Sequence, residues 1–314
     1  MRVPKILISN DDGVSAPGLQ ALVKEFIDQS FCKVFVCGPF GERSAQSNAI
    51  SVTKHVHAFE IQVNGAEEAF AVDGTPADSI IVALRSQLLS TKDFDLVISG
   101  INRGDNAGVH VVYSGTVGAA REAAHHGYPA LAFSIDNYAA RSVEQYKVAA
   151  EYAVALTKEV LHIHEGVNSR VPKELHRIVL NVNIPGVDDG TVIQGFRLCR
   201  QGRHCSTSDL IEAESEPDFA EQNSHKDSEI HMGRVTIRAF KHVNFRHIQD
   251  STPGTDHHAL SQGFVSVTIL DSLMDVPLNE ENAVSRHDGN LADTVRDIIN
   301  RAGLAMGHDN EHSL

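Results

Sequence analysis

Two short stretches carry side chains that can do chemistry together. The first is Asn10-Asp11-Asp12-Gly13, a pair of adjacent acids at the abrupt end of the apolar run Lys5-Ile6-Leu7-Ile8. Neighbouring carboxylates raise each other's pKa, and a cation placed between them relieves the repulsion. Hard oxygen donors of this kind suit magnesium, manganese or calcium. The same residues also suit an Asx turn that caps the next helix, its acids simply solvated. The second stretch is Tyr113-Ser114-Gly115-Thr116-Val117, where Ser-Gly-Thr opens an Ala-rich helix. Backbone N–H groups, small residues and two hydroxyls at a helix amino end suit an anion. An ordinary Ser/Thr cap uses the same residue types.

The elements that must position these stretches read as a parallel α/β sheet. Lys5–Ser9 is a buried strand, and Leu19, Leu22, Val23, Phe26 and Ile27 fall on one helical face directly after the acidic turn. Lys33–Cys37 follows at βαβ spacing and is stopped by Gly38-Pro39. Residues 50–72 alternate as a hairpin would, with Asn64-Gly65 as its turn. Thr75 and Pro76 are the cap and first residue of another helix. Asp95–Ser99 is a strand that enters Gly100–Gly108, a loop with three Gly and two Asn read from the sequence. Strand 129–134, helix 141–163 and strand 177–183 continue the alternation, the signature of a doubly wound sheet. Beyond about residue 190 the pattern changes. Residues 192–199, 234–240 and 263–270 read as strands, 203–231 as a polar, acidic, mobile loop, and a last helix starts near Leu291, with frayed residues from Gly307. The expected organisation is a core over 1–190 and an extension over 191–314 with a hairpin and a helix, serving oligomerisation.

Composition narrows the function. A formal net charge of −14 disfavours a protein that tracks a nucleic acid polymer, which needs a basic face, yet it leaves room for one small phosphorylated ligand beside a metal. The 18 His are scattered, without His-x-Glu-x-x-His or Cys-x-x-Cys spacing. Cys32, Cys37, Cys199 and Cys205 form no disulfide framework, so a reducing, cytoplasmic setting is expected. No leader is visible, and no run approaches the roughly 20 apolar residues of a membrane span. No Gly-x-Gly-x-x-Gly follows the first strand, which weighs against a nicotinamide-dependent oxidoreductase.

Loops 10–13, 40–48, 100–108 and 113–116 should gather at one sheet edge. Together they hold two carboxylates, an Asn amide, a Ser hydroxyl and an anion nest, which suits metal-dependent phosphoryl chemistry. The chain at this point resembles the SurE survival-protein family of metal-dependent 5′/3′-nucleotidases. The resemblance rests on Ile8–Val14 with Ala16-Pro17-Gly18, Arg43-Ser44 with Ser47-Asn48, Gly74–Asp78, Ser99–Gly108 and Tyr113–Val117, and it returns at Thr255-Asp256 and Gly263–Thr268. It implies a Rossmann-like core with a C-terminal antiparallel extension, and a homodimer or homotetramer whose subunits exchange C-terminal elements. It implies hydrolysis of nucleoside 5′- or 3′-monophosphates with one divalent cation, magnesium or manganese, held by Asp11, Asp12, Ser44 and Asn102. It puts the phosphate near Ser114, Gly115 and Thr116, with Asn106 close by. Two departures stand out. The loop after the second strand has Phe40 where the family carries an acid, and the family's aromatic-rich segment is not recognisable between 200 and 240.

The expected chemistry is attack on phosphorus by a metal-activated water, deprotonated by Asp11 or Asp12. An aspartyl-phosphate route is the rival. A non-catalytic nucleotide or phosphate sensor could use the same pocket.

Overall fold

The computed structural model describes residues 2–162, 171–187, 190–204, 206–213, 238–246, 248–272 and 290–308. In chain order the elements are β1 (Lys5–Ser9), α1 (Pro17–Gln29), β2 (Lys33–Pro39), β3 (Ala58–Glu60), β4 (Glu68–Val72), α2 (Pro76–Arg85), β5 (Leu96–Arg103), α3 (His110–Tyr113), α4 (Gly115–His125) and β6 (Ala130–Asp136). There follow α5 (Lys147–Val160), β7 (Ile178–Pro185), β8 (Phe196–Cys199), β9 (Thr207–Ala213), β10 (Ala239–Arg246), α6 (Asp256–Ser261), β11 (Val265–Asp271) and α7 (Asn290–Ala305).

Nine strands form one sheet in the order β3-β4-β2-β1-β5-β6-β7-β11-β8. The six from β4 to β7 are parallel; β3 pairs antiparallel with β4, and β11 pairs antiparallel with β7 while β8 runs parallel to β11. Both faces of the parallel strands are buried. Ile6 and Ile8 of β1 join the core under α1, α5 and α7, whereas Leu7 joins the core under α2 and α4. That alternation is the strand period of two, filled on both sides. The mixed, mostly parallel α/β sheet expected from the sequence is therefore the architecture observed.

The strand order makes one point special. From β1 the chain winds outward through β2 to β4, then returns to place β5 on the other side of β1. The carboxyl ends of β1 and β5 meet at this reversal, which is where open α/β sheets leave a crevice for ligands. Gly18 holds α1 tight against the same place, since a Cβ there would lie 2.0 Å from the Ile101 carbonyl oxygen.

Several expected boundaries are corrected. Strand β5 continues through Gly100 to Arg103, so the loop read from residue 100 begins later; its ladder with β6 shifts between Ser99 and Asn102. The helix expected over 141–163 starts as a 3-10 turn, Val143–Tyr146, and is α-helical only over Lys147–Val160. The acidic stretch read as a loop contains β9, which pairs antiparallel with β10 in a separate two-stranded sheet. Of the strand expected over 234–240, residues 239 and 240 open β10, which runs on to Arg246; residues 214–237 lie outside the described residues, as do residues 309–314 of the frayed end expected from Gly307. Segments after residue 190 supply β8 and β11 to the main sheet.

Candidate active site

The turn after β1 is fixed by its own residues. The Asn10 side chain donates to the Gly13 carbonyl at 2.8 Å, and the Arg43 amide donates to the Asp11 carbonyl at 2.7 Å, which ties the turn to the loop after β2. Asp11 is buried against the amino end of α4, where the Thr116 hydroxyl donates to its Oδ1. Gly115 makes that approach possible, because a Cβ at this position would stand 2.8 Å from the Asp11 Cβ and 3.0 Å from Oδ2. Burial, then the neighbouring charge of Asp12, push the Asp11 carboxyl up to about 7 against the opposing pull of the Thr116 donors.

Asp12 is only partly buried. The Arg103 backbone N–H donates to its Oδ2 at 3.0 Å. Burial raises its pKa, Glu42 adds to the rise, and the Arg103 amide and guanidinium oppose it. Asn102 is oriented by its own amide, which donates to the Gly104 carbonyl at 2.7 Å and so turns the amide oxygen away from that contact. Ser44 is exposed, and its hydroxyl donates to Glu42 at 3.1 Å.

Asn106 sits in a buried polar network. Its backbone N–H donates to Asn183 at 2.7 Å, its side-chain amide donates to Ser134 at 2.8 Å, and its carbonyl accepts from Asn181 at 2.8 Å. Ser114 caps α4 by accepting the Val117 N–H at 3.0 Å.

A cleft of about 520 Å³ opens here, a size that suits a small molecule. Of the residues singled out from the sequence, Asp11, Ser44, Asn102, Asn106 and Ser114 line it; Asp12, Gly115 and Thr116 are not among its lining residues. Thr116 turns its hydroxyl to Asp11, so in this structure it orients the acid. The lining also includes Arg103, Asp105 and Tyr113, from loops expected at this edge though given no role, and His110, Tyr138, Ser206 and Phe245, which the sequence reading did not place. Arg103 and Asp105 lie inside the glycine-rich motif and were open to notice there. Ser206 and Phe245 come from distant segments whose approach no local pattern announces.

Asp105 organises a second set of contacts. It accepts the Tyr138 hydroxyl at 2.8 Å, lies 3.1 Å from His110 Nδ1 and 3.7 Å from His257 Nε2, and accepts the Ala107 amide at 3.0 Å. Burial pushes its carboxyl up, but the hydrogen bonds from His110 and His257 overcome this and hold it well below the usual carboxylate range. His257 is itself raised: burial lowers it, and the bond and charge of Asp105 with the charge of Asp256 outweigh that.

No group of three or more His, Cys, Asp or Glu side chains among the described residues is arranged to hold a metal. Asp11, Ser44 and Asn102 on the cleft wall offer carboxylate, hydroxyl and amide oxygens, a set that fits a hard divalent cation rather than zinc or copper. Two carboxylates both pushed up by burial and charge fit it too, since a cation removes the cost of their ionisation.

The family model described as "Survival protein SurE" matches residues 6–208. The chain belongs to the SurE family. Among SurE relatives, the 5′-nucleotidase SurE of Clostridium beijerinckii is 35% identical over 268 residues, covering 84% of this chain and 92% of that protein. The 5′-nucleotidase SurE of Anaeromyxobacter is 39% identical over 208 residues, covering 66% of this chain and 72% of its own length. The crystal structure of the SurE protein from Aquifex aeolicus superposes with a TM-score of 0.61 at 30% identity, over 92% of this chain and all of that one.

Proposed function

We propose that this protein is a phosphomonoesterase that hydrolyses nucleoside 5′- or 3′-monophosphates, using one divalent cation, magnesium or manganese. The observation that carries the reading is the pair Asp11 and Asp12 at the sheet's reversal point, beside a cleft that Asn102, Ser44 and Ser114 also line. Asp11, Asp12, Ser44 and Asn102 would hold the cation. It would supply positive charge against the phosphoryl oxygens and lower the pKa of water.

The remaining steps fall to the chain itself. The Ser114 hydroxyl and the Gly115 amide, at the amino end of α4, receive phosphate oxygens. Asn106, immobilised by Ser134, Asn181 and Asn183, borders the same cleft. Thr116 keeps Asp11 in place, and the acid pair takes the proton of the attacking water.

The extension over 191–314 serves assembly into a homodimer or homotetramer, a reading supported by the exposed Leu210, Phe240 and Phe245 on the β9–β10 pair. A cytoplasmic setting accords with free Cys32, Cys37 and Cys199, and among the described residues no helix is long and apolar enough to cross a membrane. The test is phosphate release from a panel of nucleoside 5′- and 3′-monophosphates with each cation. Metal-dependent release is expected. Tight nucleotide binding without release would make the protein a sensor.

A further inference from the structure

The contacts described so far provide for the phosphate and the attacking water, and they leave the departing oxygen of the ester without a proton. A sugar alkoxide is a strong base and a poor leaving group, so its departure gains from an acid placed on the leaving side. His110 lines the same cleft as Asp11, Asn102 and Ser114. It sits one helical turn before the phosphate cradle, since its carbonyl accepts the Ser114 N–H at 3.0 Å.

Its ring is held in a defined orientation. Asp105 is ionised and can only accept, so His110 donates through Nδ1 across the 3.1 Å contact. Nε2 accepts the Ser206 backbone N–H at 3.0 Å. Both contacts require the tautomer with its proton on Nδ1, which makes Nε2 the basic nitrogen and puts it beside a residue of the cleft wall. Among the described residues, the groups near this ring include His257, edge-on with centroids 6.4 Å apart, Asp256 behind His257, and Tyr138 on the far oxygen of Asp105. A buried carboxylate on Nδ1 fixes the orientation of the imidazole and aims its second nitrogen.

We propose that His110, oriented by Asp105, is the general acid that protonates the leaving oxygen of the phosphate ester. Protonation at Nε2 converts that nitrogen from acceptor to donor, which breaks the Ser206 contact and turns the proton to the cleft. As the bond from phosphorus to the leaving oxygen breaks, its electron pair goes to that oxygen, which takes the Nε2 proton. The nucleoside leaves as an alcohol, His110 returns to its neutral form with Nδ1–H on Asp105, and solvent reprotonates it. Water supplies the hydroxyl that phosphate gains. Asp105 is a positioning residue in this scheme.

The inference rests on the phosphomonoesterase reading, and the test separates the two. Turnover of a nucleoside 5′-monophosphate and of p-nitrophenyl phosphate, whose phenolate needs no acid, is measured in manganese for the wild type, His110→Gln and Asp105→Asn. His110→Gln is expected to lose about 100-fold or more on the nucleotide, with a loss on the aryl ester at least tenfold smaller. Asp105→Asn should show the same selectivity to a lesser degree. Wild-type rates across phenyl phosphates of increasing leaving-group basicity, a measurement that needs no variant, should be nearly flat. Equal losses on both substrates, an unchanged nucleotide rate in His110→Gln, or a steep wild-type dependence on leaving-group basicity would each overturn the role of His110 alone. A wild type inert on every ester with either cation would overturn the underlying reading as well.

Discussion

Replacing Asp11 by Asn should stabilise the metal-free protein while removing its chemistry. Asp11 is buried and its carboxyl is raised from 3.8 to about 7. A carboxylate with a raised folded pKa costs nothing below its unfolded pKa. The cost grows as pH climbs between the two values and is complete above the folded one. Three units at 1.36 kcal/mol each make the cost about 4 kcal/mol at pH 8. Asn has the same shape and still offers an oxygen to the Thr116 hydroxyl, so little else changes. Thermal unfolding in a chelator, run from pH 4 to pH 8, reads the effect. The wild type should lose stability relative to Asp11→Asn across that range, with the two close together at pH 4. A divalent cation should reverse the gap at pH 8 by stabilising only the wild type. A variant less stable than the wild type at pH 8 in chelator, or a gap that does not change with pH, would show that the buried Asp11 carboxylate carries no such cost.

Three further perturbations address other parts of the site. In Gly115→Ala the new methyl stands 2.8 Å from the Asp11 Cβ and displaces the acid, so kcat should fall about 100-fold while the melting temperature holds, because Ala favours the helix. Gly18→Ala drives a methyl to 2.0 Å from the Ile101 oxygen and should cost about 3 kcal/mol in urea unfolding, since the strand backbone cannot give way. Asp105→Asn removes a carboxylate held below its usual range. That contribution is present above the unfolded pKa, so the variant should be destabilised at pH 7 and converge on the wild type as pH falls below about 4.

Much of the frame was legible because local and global signals agree. The apolar run of β1, the acidic turn and the 3.6-residue spacing of α1 each indicate one element, and the structure forms all three. Thr75 was legible as a cap for the same reason: its hydroxyl accepts the Asp78 amide at 3.0 Å while its own amide donates to Asp78 at 2.9 Å. Gly100 misled, since glycine reads as a break and here lies inside β5, where a Cβ would meet the Phe133 carbonyl oxygen of β6 at 2.3 Å. Strand β9 was hidden by its polarity; it is exposed on most of its length and exists through pairing with β10 about thirty residues on. The Asp105, His110, Tyr138 and Ser206 contacts join separate segments, and nothing local to any one of them signals the others. The use of the Thr116 hydroxyl by Asp11 was likewise beyond sequence, because the same Ser-Gly-Thr could equally have faced a ligand.

On the proposed function, the acid pair becomes a working site only when a cation joins it. The most direct measurement titrates manganese into metal-free protein and follows bound metal and phosphate release from a nucleoside monophosphate in the same samples. Turnover should rise in step with bound manganese, saturate at one ion per chain and be absent in Asp11→Asn, which should also lose the tight site. Full turnover in excess chelator, or turnover unrelated to bound manganese, would contradict the account.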